Sequence, residues 1–146
     1  MEPKNDLLRG LRGILRLYDR DCQPVCEQYG LTRCELDVLG FLANHPGLDT
    51  ARDITELRLV PKANVSQAVE SLIRKELLVR AQDTADRRLI HLTPTSEADG
   101  AICALRRVQQ RFADELTAGF TPEECERFMS LTKRIANNAQ AQLERR

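Results

Sequence analysis

Apolar residues recur at three- and four-residue steps along several stretches of the chain, a spacing that places them on one face of a helix. The first stretch runs from Leu7 to Tyr29 and stops before Gly30, with Pro24 inside it as an expected kink or break. Similar stretches predict five further helices, at about 33–43, 50–58, 62–75, 95–116 and from 121 to the C-terminus. The chain is therefore predicted to be mainly α-helical.

Two of these helices begin with a capping pattern that marks their first residue. Thr32 and Glu35 have the spacing of a capping box, in which each side chain accepts a backbone N–H bond at the helix start. Thr121 is followed by Pro122 and then by Glu124 at the third helical position, which repeats the pattern. These two starts are the sharpest boundaries that the sequence predicts.

Between the fourth and fifth predicted helices, the pattern of apolar residues changes from one typical of a helix to one typical of β-strands. Two β-prone runs, Leu77 to Gln82 and Arg88 to Leu92, flank the polar segment 83–87 and predict a hairpin. The preceding two helices are separated by a tight turn at Pro61, which suits a first helical position because proline has no N–H to satisfy. This order is typical of a helix-turn-helix followed by a wing. We predict a mainly α fold with a small β-hairpin wing, a winged helix-turn-helix.

Composition narrows the functional classes. The chain has 146 residues with 22 Lys plus Arg against 22 Asp plus Glu, so it is not a polybasic protein that coats nucleic acid indiscriminately. No apolar run approaches the ~20 residues that span a bilayer, and the polar N-terminus lacks a signal-peptide pattern. Five scattered cysteines without a Cys-x-x-Cys pair argue against a disulfide framework. We expect a cytoplasmic protein without a membrane partner.

The predicted helix-turn-helix and wing carry a local positive charge. Between residues 58 and 88 seven basic residues face four acidic ones, which leaves a net charge of +3 in a chain whose total is zero. A basic excess at one end of the molecule is what binding to phosphates requires. The excess is modest and supports a nucleic-acid site without defining it.

The fourth predicted helix has one apolar and one polar face. The apolar face carries Val65, Ala68, Val69 and Leu72. The polar face offers Lys62, Asn64, Ser66, Gln67, Glu70 and Ser71. Asparagine and glutamine pair with adenine edges, lysine reaches guanine or phosphate, and serine bonds to either. Any solvated helix also shows polar residues, and only the adjoining hairpin shifts the interpretation towards a DNA-reading helix.

The turn of the hairpin contains an Asp-x-Arg pattern at Asp86 and Arg88, and the run Leu77–Arg80 precedes it. In pattern and register these residues resemble the wing of the MarR (multiple-antibiotic-resistance regulator) family of winged helix-turn-helix proteins. The resemblance extends over nearly the whole chain, including its length and terminal helices. One departure is Glu76, which stands where the family commonly has glycine in a left-handed conformation.

The resemblance implies a homodimer that binds pseudo-palindromic promoter DNA, usually as a repressor, and that responds to a small aromatic or phenolic effector. It implies one MarR-type domain over 1–146, with a DNA-binding lobe at 31–94 and a dimerisation lobe made of 5–30 and 95–146. The recognition helix would lie in the major groove, and Arg88 with Arg87 would approach the minor groove, with Asp86 orienting Arg88. The apolar stripes of the long terminal helices predict these dimerisation residues: Leu7, Leu11, Ile14, Tyr18, Phe128, Leu131 and Ile135.

Two alternatives stay open beside this interpretation. Cys22 and Cys26 are four residues apart in the first helix, so a cysteine-based redox-sensing regulator of the same fold is conceivable. Glu70 and Glu76, on or near the reading helix, leave room for a winged-helix protein-interaction module that does not bind DNA. We expect no enzymatic activity, no cofactor and no metal, and the sequence does not identify the residues that would hold an effector.

Overall fold

A computed structural model describes residues 3–58 and 60–145 of the chain. The order is helical, with one hairpin between the fourth and fifth α-helices. The elements are α1 Pro3–Tyr29, α2 Arg33–Asn44, α3 Ala51–Arg58, α4 Lys62–Arg74, β1 Leu78–Gln82, β2 Ile90–Pro94, a 3₁₀ turn Ser96–Ala98, α5 Asp99–Leu116 and α6 Pro122–Glu144. The chain divides into two compact units between Gln110 and Arg111. The predicted fold class, mainly α with a winged hairpin, is confirmed.

The helix starts lie where the capping patterns place them. The Thr32 side chain accepts the Glu35 N–H at the start of α2, and the Glu35 carboxylate accepts the Thr32 N–H in return. Thr121 and Glu124 form the same reciprocal pair at the start of α6. These bonds satisfy N–H groups that have no partner inside the helix, which is why the boundaries could be predicted.

Proline positions differ from the prediction. Helix α1 continues through Pro24, so of the expected kink or break the break is wrong. Pro61 is the residue before α4 and not its first helical residue, since its ψ angle of 136° is extended. Its carbonyl still accepts the N–H groups of Asn64 and Val65, which starts the helix without a side-chain cap.

The hairpin is antiparallel. Its second strand begins and ends two residues later along the chain than predicted. Leu78 pairs with Pro94 and Gln82 with Ile90, whereas the prediction placed the strand at 88–92. The Leu89 N–H donates to the Asp86 carbonyl, which closes the turn and removes Arg88 and Leu89 from the strand. Both strands of a two-stranded sheet are edge strands, where proline is tolerated. Pro94, at the end of β2, therefore removes no hydrogen bond between the strands.

The core of the first unit forms where α2 and α4 pack together with parts of α1, α3, α5 and the base of the hairpin. The predicted inner face of α4 is buried, and Gly40 of α2 lies so close to α5 that an added Cβ would stand 2.5 Å from the Leu105 side chain. The largest fully buried side chains are Phe41, Leu36, Leu39, Ile54, Leu72, Leu78, Val38, Val65 and Cys22. This core holds α4 with its polar face outward.

The long helices carry apolar side chains that the folded chain leaves exposed. On α1 these include Leu7, Leu8, Leu11, Ile14 and Leu15, and α6 has no buried residue among those described. Phe120 and Phe128 contact each other edge to face, with ring centroids 6.3 Å apart. None of the described helices is both long and apolar enough to cross a lipid bilayer.

Candidate nucleic-acid interface

The outer face of α4 forms a ridge between two clefts. The first cleft, of about 620 Å³, separates the ridge from the start of α2 and is lined by Asn64 and Gln67. The second, of about 530 Å³, separates it from the hairpin. Ser66 and Glu70 line both clefts, so they lie along the crest. Lys62 is exposed at the N-terminal end of the same helix. A polar helix that protrudes in this way has the shape that enters a DNA major groove.

An ion pair between the exposed Lys75 and the buried Glu35 fixes the C-terminal end of α4 against α2. The Lys75 ammonium lies 2.7 Å from the Glu35 carboxylate, which is 3% exposed, and it also donates to the Gly30 carbonyl. Burial alone would raise the pKa of Glu35, but hydrogen bonds from Lys75 and Ser71 lower it. Ser71 is only partly exposed, so it belongs to this anchor and not to the predicted outer face.

Glu70 is the acidic residue on the crest that favoured the protein-binding alternative. Its carboxylate lies 2.5 Å from the Arg80 guanidinium of β1. The pair spans the cleft between α4 and the hairpin and cancels the negative charge of the crest. Glu70 therefore does not make the ridge repel phosphate.

Hydrogen bonds order the turn of the wing. The Asp83 carboxylate accepts the backbone N–H groups of Ala85 and Asp86 at 3.0 and 2.8 Å. The Asp86 carboxylate in turn accepts the backbone N–H of Arg88 at 3.0 Å. Asp86 therefore contacts the backbone of Arg88, whereas the sequence suggested only that it orients the residue. The turn presents two exposed cations, on Arg87 and Arg88.

Three guanidinium groups converge on the cleft between α4 and the wing. They belong to Arg52 of α3, Arg80 of β1 and Arg88 of the turn. Arg52 pairs with Glu56 along α3, and Arg80 pairs with Glu70. Arg88 has no ion pair within residues 3–58 and 60–145. Its charge is available for an anionic ligand such as a phosphate backbone.

His91 is a residue of this region whose role the sequence did not reveal. Its two ring nitrogens lie 2.8 Å from the carboxylates of Asp49 and Asp83. Asp49 precedes α3 and Asp83 begins the wing turn, 42 and 8 residues away along the chain. No periodic pattern signals a contact over such a separation. Only the folded chain brings the three residues together.

Tyr18 packs inside the first unit instead of standing free on α1. The Arg33 guanidinium lies 4.8 Å from the centre of its ring, and its hydroxyl accepts a hydrogen bond from Gln109 of α5. Arg33 also pairs with Asp19 and Asp37. A small internal space of about 20 Å³ lies beside this group.

The two candidate redox cysteines lie in the core. Cys22 and Cys26 are 0% and 6% exposed, and burial raises the pKa of both thiols, against the opposing effect of Arg33. A raised pKa reduces the thiolate fraction that reacts with oxidants. Within the described residues no group of His, Cys, Asp and Glu side chains has the arrangement of a metal site.

The geometry above defines the class of protein: a winged helix-turn-helix with a polar recognition helix and a basic wing. Residues 29–89 match the model of the MarR family. A helix-turn-helix transcriptional regulator of Bacillus subtilis, YwaE, is 30% identical over 127 residues, which is 87% of this chain and 74% of that protein. The chain belongs to the MarR family of transcriptional regulators.

Solved structures show the same fold over almost the whole chain. The transcriptional regulator SlyA superposes on this chain with a TM-score of 0.83 at 20% identity. The superposed region is 95% of this chain and 97% of SlyA. Staphylococcus aureus MarR, solved in complex with salicylate and kanamycin, superposes with a TM-score of 0.75 at 17% identity, over 93% and 91% of the two chains. At these identities the likeness establishes the fold alone.

Proposed function

We propose that this protein is a sequence-specific regulator that binds pseudo-palindromic promoter DNA as a homodimer and represses transcription. The observation that carries the proposal is the polar ridge of α4 beside a wing whose Arg88 is exposed and has no ion pair among the described residues. Neither feature serves the core, since both point to solvent. The absence of enzymatic activity and the cytoplasmic location expected from the sequence remain predictions that accompany this role.

We assign base readout to the ridge and backbone contact to its ends. Asn64 and Gln67 have the donor and acceptor pairs that match adenine, and Ser66 bonds to several bases. Lys62, at the exposed helix start, suits a phosphate. Arg88 suits the narrow minor groove, where the negative potential is enhanced. Arg52 lines the cleft between ridge and wing and is placed for the phosphate strand between the two grooves.

Dimerisation is proposed from the apolar surface that the protomer leaves open. Leu131 and Ile135 of α6 are 45% and 60% exposed, and Leu7 and Leu11 of α1 are 57% and 46% exposed. Soluble monomers seldom expose such rows of large apolar side chains. Tyr18 is already packed against Arg33, so the other six predicted residues carry this proposal. Pairing would place two recognition helices about 34 Å apart, one turn of DNA.

An aromatic effector is proposed from the family and from the salicylate complex of the Staphylococcus aureus protein. Tyr18, Phe41 and Arg58 line a small space beside α1, α2 and α5. Because that space is about 20 Å³, a ring would enter only if the lining moved. Coupling of that movement to α4 would account for release of DNA.

Both alternatives receive less support from the structure than DNA binding does. The buried thiols of Cys22 and Cys26 are poor candidates for an oxidation switch, because their raised pKa keeps them protonated. A protein-interaction module would not need the unpaired Arg88 beside a charge-neutral crest. Each alternative is an outcome of the experiment below.

The experiment is fluorescence anisotropy with a duplex from the region upstream of the protein's own gene and a scrambled duplex of equal length. Gln67→Ala should lose about 1–3 kcal/mol of discrimination between the two duplexes. Lys62→Ala should weaken binding to both duplexes equally and should make the affinity depend less on salt concentration. Gln28→Ala, at an exposed position of α1, is the matched control. No binding of either duplex at low salt would refute the proposal.

Dimerisation is tested by sedimentation of the intact chain and of Ile135→Lys. The wild type should sediment as a dimer at micromolar concentration, and the variant should shift towards monomer with unchanged helical content. Asn137→Lys, which adds the same charge at an exposed position on the opposite side of α6, is the control. A wild-type chain that is a folded monomer at this concentration contradicts the homodimer.

A further inference from the structure

The His91 side chain bridges two carboxylates that belong to different parts of the winged fold. Its Nδ1 lies 2.8 Å from the Asp49 carboxylate and its Nε2 lies 2.8 Å from the Asp83 carboxylate. The three side chains are 34%, 38% and 27% exposed, so water and protons reach them. The bridge is outside the set of residues assigned to DNA contact.

Each carboxylate connects the ring to a different structural element. Asp49 lies in the loop before α3, where its backbone carbonyl also accepts the Leu92 N–H at 2.8 Å. Asp83 begins the wing turn, and its second oxygen accepts the N–H groups of Ala85 and Asp86. The ring therefore ties the turn that carries Arg88 to the helix-turn-helix.

The bridge is complete only when the imidazole is protonated. An imidazolium donates from both nitrogens, whereas a neutral ring donates from one and directs a lone pair from the other. With Asp49 and Asp83 both ionised, the neutral ring would place that lone pair against a carboxylate oxygen. These two carboxylates are the charged groups in contact with the ring, and Ala81, its partner on β1, is uncharged.

We propose that protonated His91 is a positioning residue, which holds the wing in its DNA-binding orientation and makes DNA affinity depend on pH. This role rests on the proposed function. Deprotonation breaks one side of the bridge, loosens the turn and lowers the fraction of molecules whose Arg88 is in place. As the fraction of molecules able to bind DNA falls, the apparent Kd for DNA rises in proportion.

The direction of the pH dependence follows from the two carboxylates. Asp49 first, and then Asp83, raises the pKa of His91 above 6.5, so the bridge is intact below that pH and is lost as the pH rises through the raised value. The amide of Asp86, the His91 ring and the amide of Ala85 lower the pKa of Asp83 to about 2, so this partner stays ionised throughout. DNA affinity should fall towards alkaline pH.

The protonation of His91 can be observed directly by NMR. The chain has two histidines, and the Cε1–H signal that disappears in His45→Gln belongs to His45. The remaining signal should titrate above pH 6.5, and Asp49→Asn should lower its midpoint. A His91 midpoint at or below 6.5 that Asp49→Asn leaves unchanged would overturn the bridge.

The effect on binding is measured by anisotropy from pH 5.5 to 8.5 at constant ionic strength. Wild type and His45→Gln should weaken by about three- to tenfold over this range, and His91→Gln should be weak and nearly flat. Asp49→Asn should bind well at every pH, because its amide donates to a neutral ring that still donates to Asp83.

The outcomes separate this role from DNA binding itself. Tight binding with one pH profile in all four proteins overturns the positioning role and leaves the proposed function intact. If wild type binds no DNA at any pH, the proposed function fails and this role fails with it, while the NMR midpoint still reports whether the bridge exists.

Discussion

Asp86 offers a test in which two physical effects predict opposite signs. Its carboxylate accepts the Arg88 backbone N–H at 3.0 Å at the tip of the wing. Asp86→Ala removes this hydrogen bond and also removes a negative charge from the tip of the wing, which the proposed function brings close to DNA. Loss of the bond should weaken binding, because the turn no longer holds Arg88, whereas loss of the charge should strengthen it.

The magnitudes indicate which effect dominates. A hydrogen bond to an exposed carboxylate contributes about 1 kcal/mol, or about a fivefold change in the population of the ordered turn. A unit charge about 10 Å from a phosphate contributes about 0.4 kcal/mol in water, and physiological salt screens most of it. Asp86→Ala should therefore weaken DNA binding by about fourfold at physiological salt.

Asp86→Asn separates the two effects in one assay. Its amide oxygen keeps an acceptor for the Arg88 N–H but carries no charge. Anisotropy titrations at two salt concentrations should show binding equal to or slightly tighter than wild type for Asp86→Asn. Arg88→Ala should be weaker than either variant. If Asp86→Ala binds as tightly as Asp86→Asn, the hydrogen bond has no role and charge alone explains the wing.

Two further predictions concern the elements that hold the recognition helix. Glu76 has a left-handed φ of 61°, so Glu76→Gly should raise the free energy of unfolding by about 1 kcal/mol and the Tm by about 3 °C. The control Glu126→Gly, inside α6, should lower both quantities. Equal effects of the two substitutions would contradict strain at Glu76. Lys75→Met should destabilise by about 1–2 kcal/mol at pH 7, because it leaves Glu35 buried without its partner. The pKa of Glu35 is lowered in the folded chain, so the difference in unfolding free energy between wild type and Lys75→Met should shrink below about pH 4.5 in urea titrations. A difference that does not change with pH would contradict the ion pair.

Local patterns predicted the elements because their causes lie within one or two turns of chain. The reciprocal bonds of Thr32 with Glu35 join residues three positions apart, so residue types and spacing are enough to locate them. The apolar face of α4 follows from the 3.6-residue period, and its buried residues are those predicted. The resemblance placed Glu76 where the family has a left-handed glycine, without deciding whether a glutamate keeps that conformation, and the structure shows a φ of 61° there.

Tertiary structure decided the contacts that give the candidate site its chemistry. His91 meets Asp49 across 42 residues and Lys75 meets Glu35 across 40, and the polar side chains that form such pairs are common at every helix end and turn. Spacing does not distinguish these partners from many others, since closing a long loop costs nearly the same free energy for each. The packed core selects among them by fixing where each helix and strand ends. For this reason α4 and its apolar face could be predicted from the 3.6-residue period, whereas the contacts of His91 with Asp49 and Asp83 could be seen only in the folded chain.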